Sequence, residues 1–183
     1  MKRSGTVTPT GVERTFSPDD IIVTKTDLKG RIVYANDVFL RVSAYTEAEV
    51  AGQPHSIIRH PDMPRCVFKL LWDRLAERRE LFAYVVNLAG DGAHYWVFAH
   101  VTATLGAGTS VRGYHSNRRV PSRAAIAEAS RLYERLRAEE RRFTVAVDAA
   151  RAGHDLLLST LDADGVDYDE WVWSLAAEEA VAR

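Results

Sequence analysis

The twelve residues Gln53-Pro54-His55-Ser56-Ile57-Ile58-Arg59-His60-Pro61-Asp62-Met63-Pro64 concentrate the chemistry of this 183-residue chain. Three prolines fix φ and remove backbone donors, so no long helix runs through them. The stretch is expected to be a short, stiff connection that holds polar side chains in set directions. Arg59, His60 and Asp62 place a cation, an imidazole and a carboxylate within four residues. That set suits the gripping of a polar or charged ligand. It equally suits a loop whose polar groups cap neighbouring helices.

The elements on either side must position this loop. Ile21 to Asp27 and Arg31 to Tyr34 read as two strands around the turn Leu28-Lys29-Gly30. Asn36 is a helix cap, with Val38, Phe39 and Val42 as an apolar stripe. Thr46-Glu47-Ala48-Glu49 reads as an imperfect capping box before a short helix closed by Gly52. Pro64 opens a longer helix with Cys66, Val67, Leu70, Leu71 and Leu75 on one face. Three strands follow: Leu81 to Leu88, His94 to Thr104, and Ser110 to Asn117. In the middle strand Tyr95, Val97, Ala99, Val101 and Ala103 alternate with Trp96, Phe98, His100 and Thr102. Hairpins at both ends imply an antiparallel sheet with helices on one face, an α+β layout.

Composition excludes several classes. Hydrophobic residues make up 46% and net charge is -1, which fits a soluble globular chain with no pull towards nucleic acid or anionic lipid. A single cysteine, Cys66, excludes an internal disulfide framework and fits a reducing cytoplasm. No run of about 18 apolar residues provides a membrane span. No Ser-His-Asp motif, nucleotide loop or zinc spacing points to an enzyme. Residues 1–18, polar with Gly, Pro and Thr, read as a flexible leader.

The tail, 121–183, reads as a helical extension. Ser122 caps a helix expected to reach Val147, with a heptad-like seam of Ile126, Ala129, Tyr133, Leu136, Phe143 and Val147 broken by Glu140. That seam serves either packing on the sheet or a dimer. Gly153-His154 is expected to end the pattern. The acidic run Asp162 to Glu170 lacks EF-hand spacing and reads as a turn and an acidic helix start, with Trp171, Val172 and Leu175 as an apolar face.

The order of elements resembles a PAS domain, and the residue strings resemble the bacterial aerotaxis-receptor type. The matching stretches are Thr26-Asp27-Leu28, Ala35-Asn36-Asp37, Val42-Ser43-Ala44-Tyr45-Thr46, Gly52-Gln53-Pro54-His55, Arg59-His60-Pro61-Asp62-Met63-Pro64, Trp72, Asn87 and Gly92-Ala93-His94-Tyr95-Trp96-Val97. The resemblance covers about residues 19 to 140, with the PAS core at 19–120. It implies a five-stranded antiparallel sheet, short helices closing a cleft, and FAD held there without a covalent bond. The flavin's redox state would be read out, as a redox or oxygen signal, by a separate signalling protein such as a chemoreceptor or kinase, or through a homodimer.

The family's flavin-binding positions fall on Arg59, His60, Asp62 and Asn87. Arg59 can fork onto phosphate oxygens. His60 can hydrogen-bond the cofactor. Asp62 orients Arg59 or His60, or caps the helix at Pro64. Asn87 offers a donor and an acceptor to the uracil-like edge of an isoalloxazine. Phe82 stands where the family often has tryptophan. Trp96 lies against the ring or on the opposite sheet face. On the same fold a haem sensor would use His60 or His55 as axial ligand. A cofactor-free interaction module is the third alternative. Cys66 lacks the asparagine-cysteine-arginine-phenylalanine string of light-sensing relatives and reads as a small apolar residue.

Overall fold

A computed structural model describes residues 7–107 and 110–181. Strands β1 (Ile22–Thr26) and β2 (Ile32–Ala35) lead into two short helices, α1 (Asp37–Ser43) and α2 (Glu47–Val50). A 3-10 turn (His55–Ile58) and helix α3 (Arg65–Ala76) follow, then β3 (Leu81–Leu88), β4 (His94–Leu105) and β5 (Val111–Arg119). Three helices complete the chain: α4 (Arg123–Glu140), α5 (Ala146–Ala163) and α6 (Tyr168–Val181).

The strands form one antiparallel sheet in the order β2-β1-β5-β4-β3. The expected α+β class and five-stranded sheet are both present. Local chemistry explains the short helices. Asn36 Oδ1 accepts from the amide of Phe39 and caps α1. The Thr46–Glu49 box is complete, not imperfect: Glu49 reaches back to the Thr46 amide at 2.9 Å.

Two cores lie on the two faces of the sheet. Ile22, Ile32, Phe39, Val42, Val50, Tyr95 and Val97 pack beneath α1 and α2. Tyr84, Val86, Tyr133, Leu136, Leu157 and Val172 pack on the other side, under α4, α5 and α6. The helical extension therefore covers the face that the short helices leave bare. This explains why β3 is apolar almost throughout (Leu81, Ala83, Tyr84, Val86 and Leu88 are buried) instead of alternating.

The extension departs from expectation in three ways. The helix from Ser122 ends at Glu140, not Val147, and Phe143 and Val147 are exposed. Its apolar face (Ala129, Leu132, Tyr133, Leu136) is covered by the chain's own sheet and α5, so the seam is not free for a second copy. Gly153 does not end a helix. It lies inside α5 at a close crossing, where a Cβ would meet Glu140 Oε1 at 2.7 Å and Cys66 Cβ at 3.1 Å. Packing against α3 and α4 outweighs the poor helix propensity of glycine there.

The acidic run behaves as read. A turn at Gly165 precedes α6, and Asp167 and Glu170 cap each other's amides at 2.8 Å. No group of metal-binding side chains occurs among the described residues. No described helix is long and apolar enough to cross a membrane.

Residues 7–18 are not a loose leader. Thr10 donates its amide to Gly92 O, Arg14 donates its amide to His94 O, His94 donates its amide to Val12 O, and Phe16 is buried. Gly92, at φ +89°, accepts this segment so closely that a Cβ would sit 2.5 Å from Thr8 O. Residues 1–6 lie outside the described residues.

Candidate functional site

A cavity of about 330 Å³ lies between the inner face of the sheet, α3 and the 3-10 turn. That volume falls at the lower end of the range for small-molecule sites. Phe68, Leu71 and Leu75 from α3, with Val85, Ala99 and Val101 from the sheet, make its walls apolar. Against them stand a few polar groups: Thr24, His55, Arg59, Asn87, Ser116 and Arg118.

Arg118 is the unusual member. It is buried, and its Nη2 donates to Thr24 Oγ1 at 2.9 Å and His55 Nε2 at 2.8 Å. No carboxylate pairs with it among the described residues. Burial, only partly offset by Tyr95, pulls its pKa down to about 10. A guanidinium can only donate, so His55 Nε2 accepts and the imidazole is neutral. Burial first, and the Arg118 charge second, push His55 down to about 3.

Three buried residues at this cavity carry a donor with no partner among the described residues, Asn87 Nδ2, Ser116 Oγ and Arg118 Nη1, and the half-buried His115 adds an unpartnered Nε2. All three residues are buried and line the same space. Orphaned buried donors are rare and costly, so such a group of them marks a place for ligand acceptors.

The pairing register decides which expected residues reach the cavity. Directly opposed residues of an antiparallel pair share a face. Asn87 opposes Tyr95, on the inner face. Phe82 opposes His100 and Val86 opposes Trp96, on the outer face. Phe82 stacks on His100 at 4.2 Å and meets Trp173 at 4.6 Å. Trp96 stacks on Tyr133 of α4 at 6.3 Å. Neither Phe82 nor Trp96 therefore belongs to the cavity, and both instead seat the helical extension.

The loop residues divide between two spaces. Arg59 forms an isolated backbone bridge with Asn87 and lays its guanidinium over Phe68, 4.1 Å from the ring centre. It lines both the cavity and a wider groove of about 1100 Å³ outside it. His60 lies outside the cavity and faces that groove. Its Nδ1 accepts the Asp62 amide at 3.1 Å, and burial lowers its pKa. Asp62 neither caps α3 nor reaches Arg59: it pairs with Arg137 of α4 and lies 3.9 Å from His60 Nδ1.

The cap of α3 comes from Glu140, whose carboxylate accepts the amides of Arg65 (2.9 Å) and Cys66 (2.8 Å). Cys66 is a buried small residue, as expected, and burial pushes its thiol pKa up. Thr24, Ser116 and Arg118 were not singled out by the sequence. Their only signal is the period-2 alternation of β1 and β5, which says that Ser116 and Arg118 share a face but not which face it is.

The neutral His55 gives a pH prediction. Its folded pKa is below its unfolded value of about 6.5, so the unfolded chain binds the extra proton. Stability is then full above pH 6.5 and falls with pH towards 3. Between pH 6.5 and 4.5 the loss is expected to be about 2–3 kcal/mol from this group. Urea unfolding of the wild type and of His55→Gln across that window measures it. Equal slopes for the two proteins would contradict the assignment.

The comparisons with known proteins agree with this architecture. Residues 18–116 match the family model described as PAS fold, and the chain belongs to that family. It is 38% identical over 123 residues to the aerotaxis receptor of Escherichia coli (strain K12), covering 67% of this chain and 24% of the receptor. It is 28% identical over 85 residues to the nitrogen fixation regulatory protein of Klebsiella pneumoniae, covering 46% and 17%. The chain thus spans a quarter or less of the length of these relatives. Among solved structures, a PAS domain from Colwellia psychrerythraea superposes with a TM-score of 0.51 at 18% identity, over 55% of this chain and 85% of that one. A light-oxygen-voltage domain gives 0.53 at 18% identity, over 65% and 87%. These structural likenesses define the fold.

Proposed function

We propose that this chain is a non-enzymatic sensor module that holds a flavin, FAD, in the sheet cavity and reports its redox state to a signalling partner. The observation that carries the reading is the group of unpartnered donors, Asn87 Nδ2, Ser116 Oγ and Arg118 Nη1, facing the apolar walls that α3 and the sheet give the cavity. The uracil-like edge of an isoalloxazine presents two carbonyl acceptors and an N–H. Asn87 can donate to one carbonyl and accept the N–H through its own oxygen. Ser116 and Arg118 supply the other donors. The apolar walls suit the faces of a planar ring. When bound, the flavin supplies electron acceptance; the chain's own groups bind it, orient it and keep water out.

The similarity to an aerotaxis receptor and a nitrogen fixation regulatory protein supports a sensing role. A soluble chemoreceptor-like or kinase partner in the cytoplasm fits that role. Signal would pass through the sheet: β3 and β4 carry the cavity on one face and α4 to α6 on the other. A change in the hydrogen bonds of Asn87 thus lies one residue along β3 from Val86, which packs among the helices. Haem ligation by His55 is disfavoured because Arg118 engages its Nε2, and His60 lies outside the cavity.

The test is the visible absorption spectrum of freshly purified protein, followed by heat release of the chromophore. Flavin bands and released FAD are expected. A Soret band would replace the flavin with haem. A colourless protein that stays colourless after incubation with FAD would leave a cofactor-free interaction module. The placement of the site is checked in parallel. Arg59→Ala is expected to weaken flavin binding about tenfold, the scale of one charge-assisted contact. Trp96→Leu should leave it within about twofold, because that side chain touches only the outer face. Fluorescence titration of both variants reads this directly; loss of flavin from Trp96→Leu with Arg59→Ala unaffected would reverse the assignment of the two faces.

A further inference from the structure

We propose that Arg137 and Arg141, at the end of α4, join Arg59 and Arg65 to clamp the diphosphate of a dinucleotide flavin, so that the helical extension selects FAD over FMN. The inference rests on the flavin reading above.

The groove outside the cavity is bounded by the 3-10 turn, the start of α3, the end of α4 and the α4–α5 connection. Four guanidiniums line it, from Arg59, Arg65, Arg137 and Arg141, against one carboxylate, that of Glu140. The two oxygens of Glu140 are already engaged by the amides of Arg65 and Cys66, and its single charge offsets only part of the cluster's positive charge. Asp62 holds Arg137 in place from the side. Arg59, Arg65 and Arg141 form no ion pair among the described residues. Burial first, and the nearby Arg65 charge second, lower the pKa of Arg59, with the Glu140 carboxylate opposing them. Like charges gathered in this way are stabilised by a polyanion.

The groove and the cavity adjoin through shared lining residues. Ser56 and Arg59 line both. A ring system in the cavity would therefore lead its side chain past Arg59 into the cluster. The cavity alone, at about 330 Å³, takes a ring system but not a whole dinucleotide, whereas the groove adds about 1100 Å³ of open space. A diphosphate is the anionic part of FAD that riboflavin lacks entirely and FMN has by half. Guanidinium forks match phosphate oxygens in pairs. The arrangement also links ligand and output: the same α4 that packs on the outer face of the sheet would hold the ligand by its last turn.

The test is a set of fluorescence titrations of the full chain, stripped of cofactor, with FAD, FMN and riboflavin at one ionic strength. The wild type is expected to bind FAD at least about tenfold more tightly than riboflavin, with FMN between. Arg141→Gln, at an exposed residue with no partner to lose, should raise the FAD Kd about tenfold. Arg137→Gln/Arg141→Gln should remove the preference, with the riboflavin Kd changed less than about twofold. Equal affinities for all three flavins in the wild type, or a preference that survives the double variant, overturns the clamp and leaves flavin binding standing. A wild type that binds none of the three overturns the flavin reading and the clamp with it.

Discussion

Arg118→Met is expected to lower flavin affinity about a hundredfold while leaving the cofactor-free protein as stable as before, or more so. The two halves of this result have one cause. Arg118 is a buried cation with no carboxylate partner among the described residues, held by Thr24 and a neutral His55. Its pKa of about 10, against an ordinary 12.5, corresponds to about 3 kcal/mol against the charged form. Both folded and unfolded chains carry the proton at pH 7, so this cost is present in full there. Methionine of similar length removes the cost and fills the space. It also removes hydrogen bonds to Thr24 and His55, worth about 1 kcal/mol each. The net effect on urea unfolding is therefore within about 1 kcal/mol of zero, or stabilising. Ligand binding loses a charge-assisted bond from a desolvated donor, about 3 kcal/mol, which is the hundredfold. A purely structural arginine behaves oppositely, with lost stability and unchanged affinity, and that outcome would remove Arg118 from the site.

Arg118 also shows where sequence reading stops. The loop from Gln53 to Pro64 announces itself by composition, because prolines and charged groups between apolar runs have few other uses. Asn87 and the five-stranded antiparallel sheet follow from resemblance and turn spacing. The side of the sheet does not. Phe82 and Trp96 are aromatic, in adjacent strands, near Asn87 in number, and on the wrong face. Only the register Asn87–Tyr95 and Val86–Trp96 separates them, and a one-residue slip would have exchanged the two sets. Arg118 and Ser116 were hidden because the end of β5 is polar on both faces: buried Ser116 and Arg118 alternate with exposed Asn117 and Arg119, so the residue types carry no polar-apolar contrast there. Asp62 and Arg137 are 75 positions apart, and no local pattern joins them. Glu140 did leave a trace: a carboxylate interrupting an apolar seam. Its meaning, a cap delivered to another helix, needed the fold.

That cap sets up the second large effect, at Gly153. In most exposed helix interiors, glycine to alanine stabilises by about 1 kcal/mol. Gly153→Ala should instead destabilise by about 1–2 kcal/mol, and Gly153→Leu by about 3 kcal/mol. The added Cβ would lie 2.7 Å from Glu140 Oε1 and 3.1 Å from Cys66 Cβ. The glutamate cannot swing aside cheaply, because it is buried and its oxygens cap α3. Glu140→Ala costs about 1–2 kcal/mol by itself through the two uncapped amides. It also clears the space, so Gly153→Ala in the Glu140→Ala background should turn neutral or stabilising. A double-mutant cycle by thermal or urea unfolding measures this change of sign. Strict additivity would mean that α5 does not press on Glu140 as the structure has it. The consequence reaches the site, because α3 carries α5 on one face and Phe68, Leu71 and Leu75 of the cavity wall on the other. A chain loosened at Gly153 should therefore release flavin faster even though no residue of the cavity has changed, which is the coupling that a sensor with its helices packed behind the sheet requires.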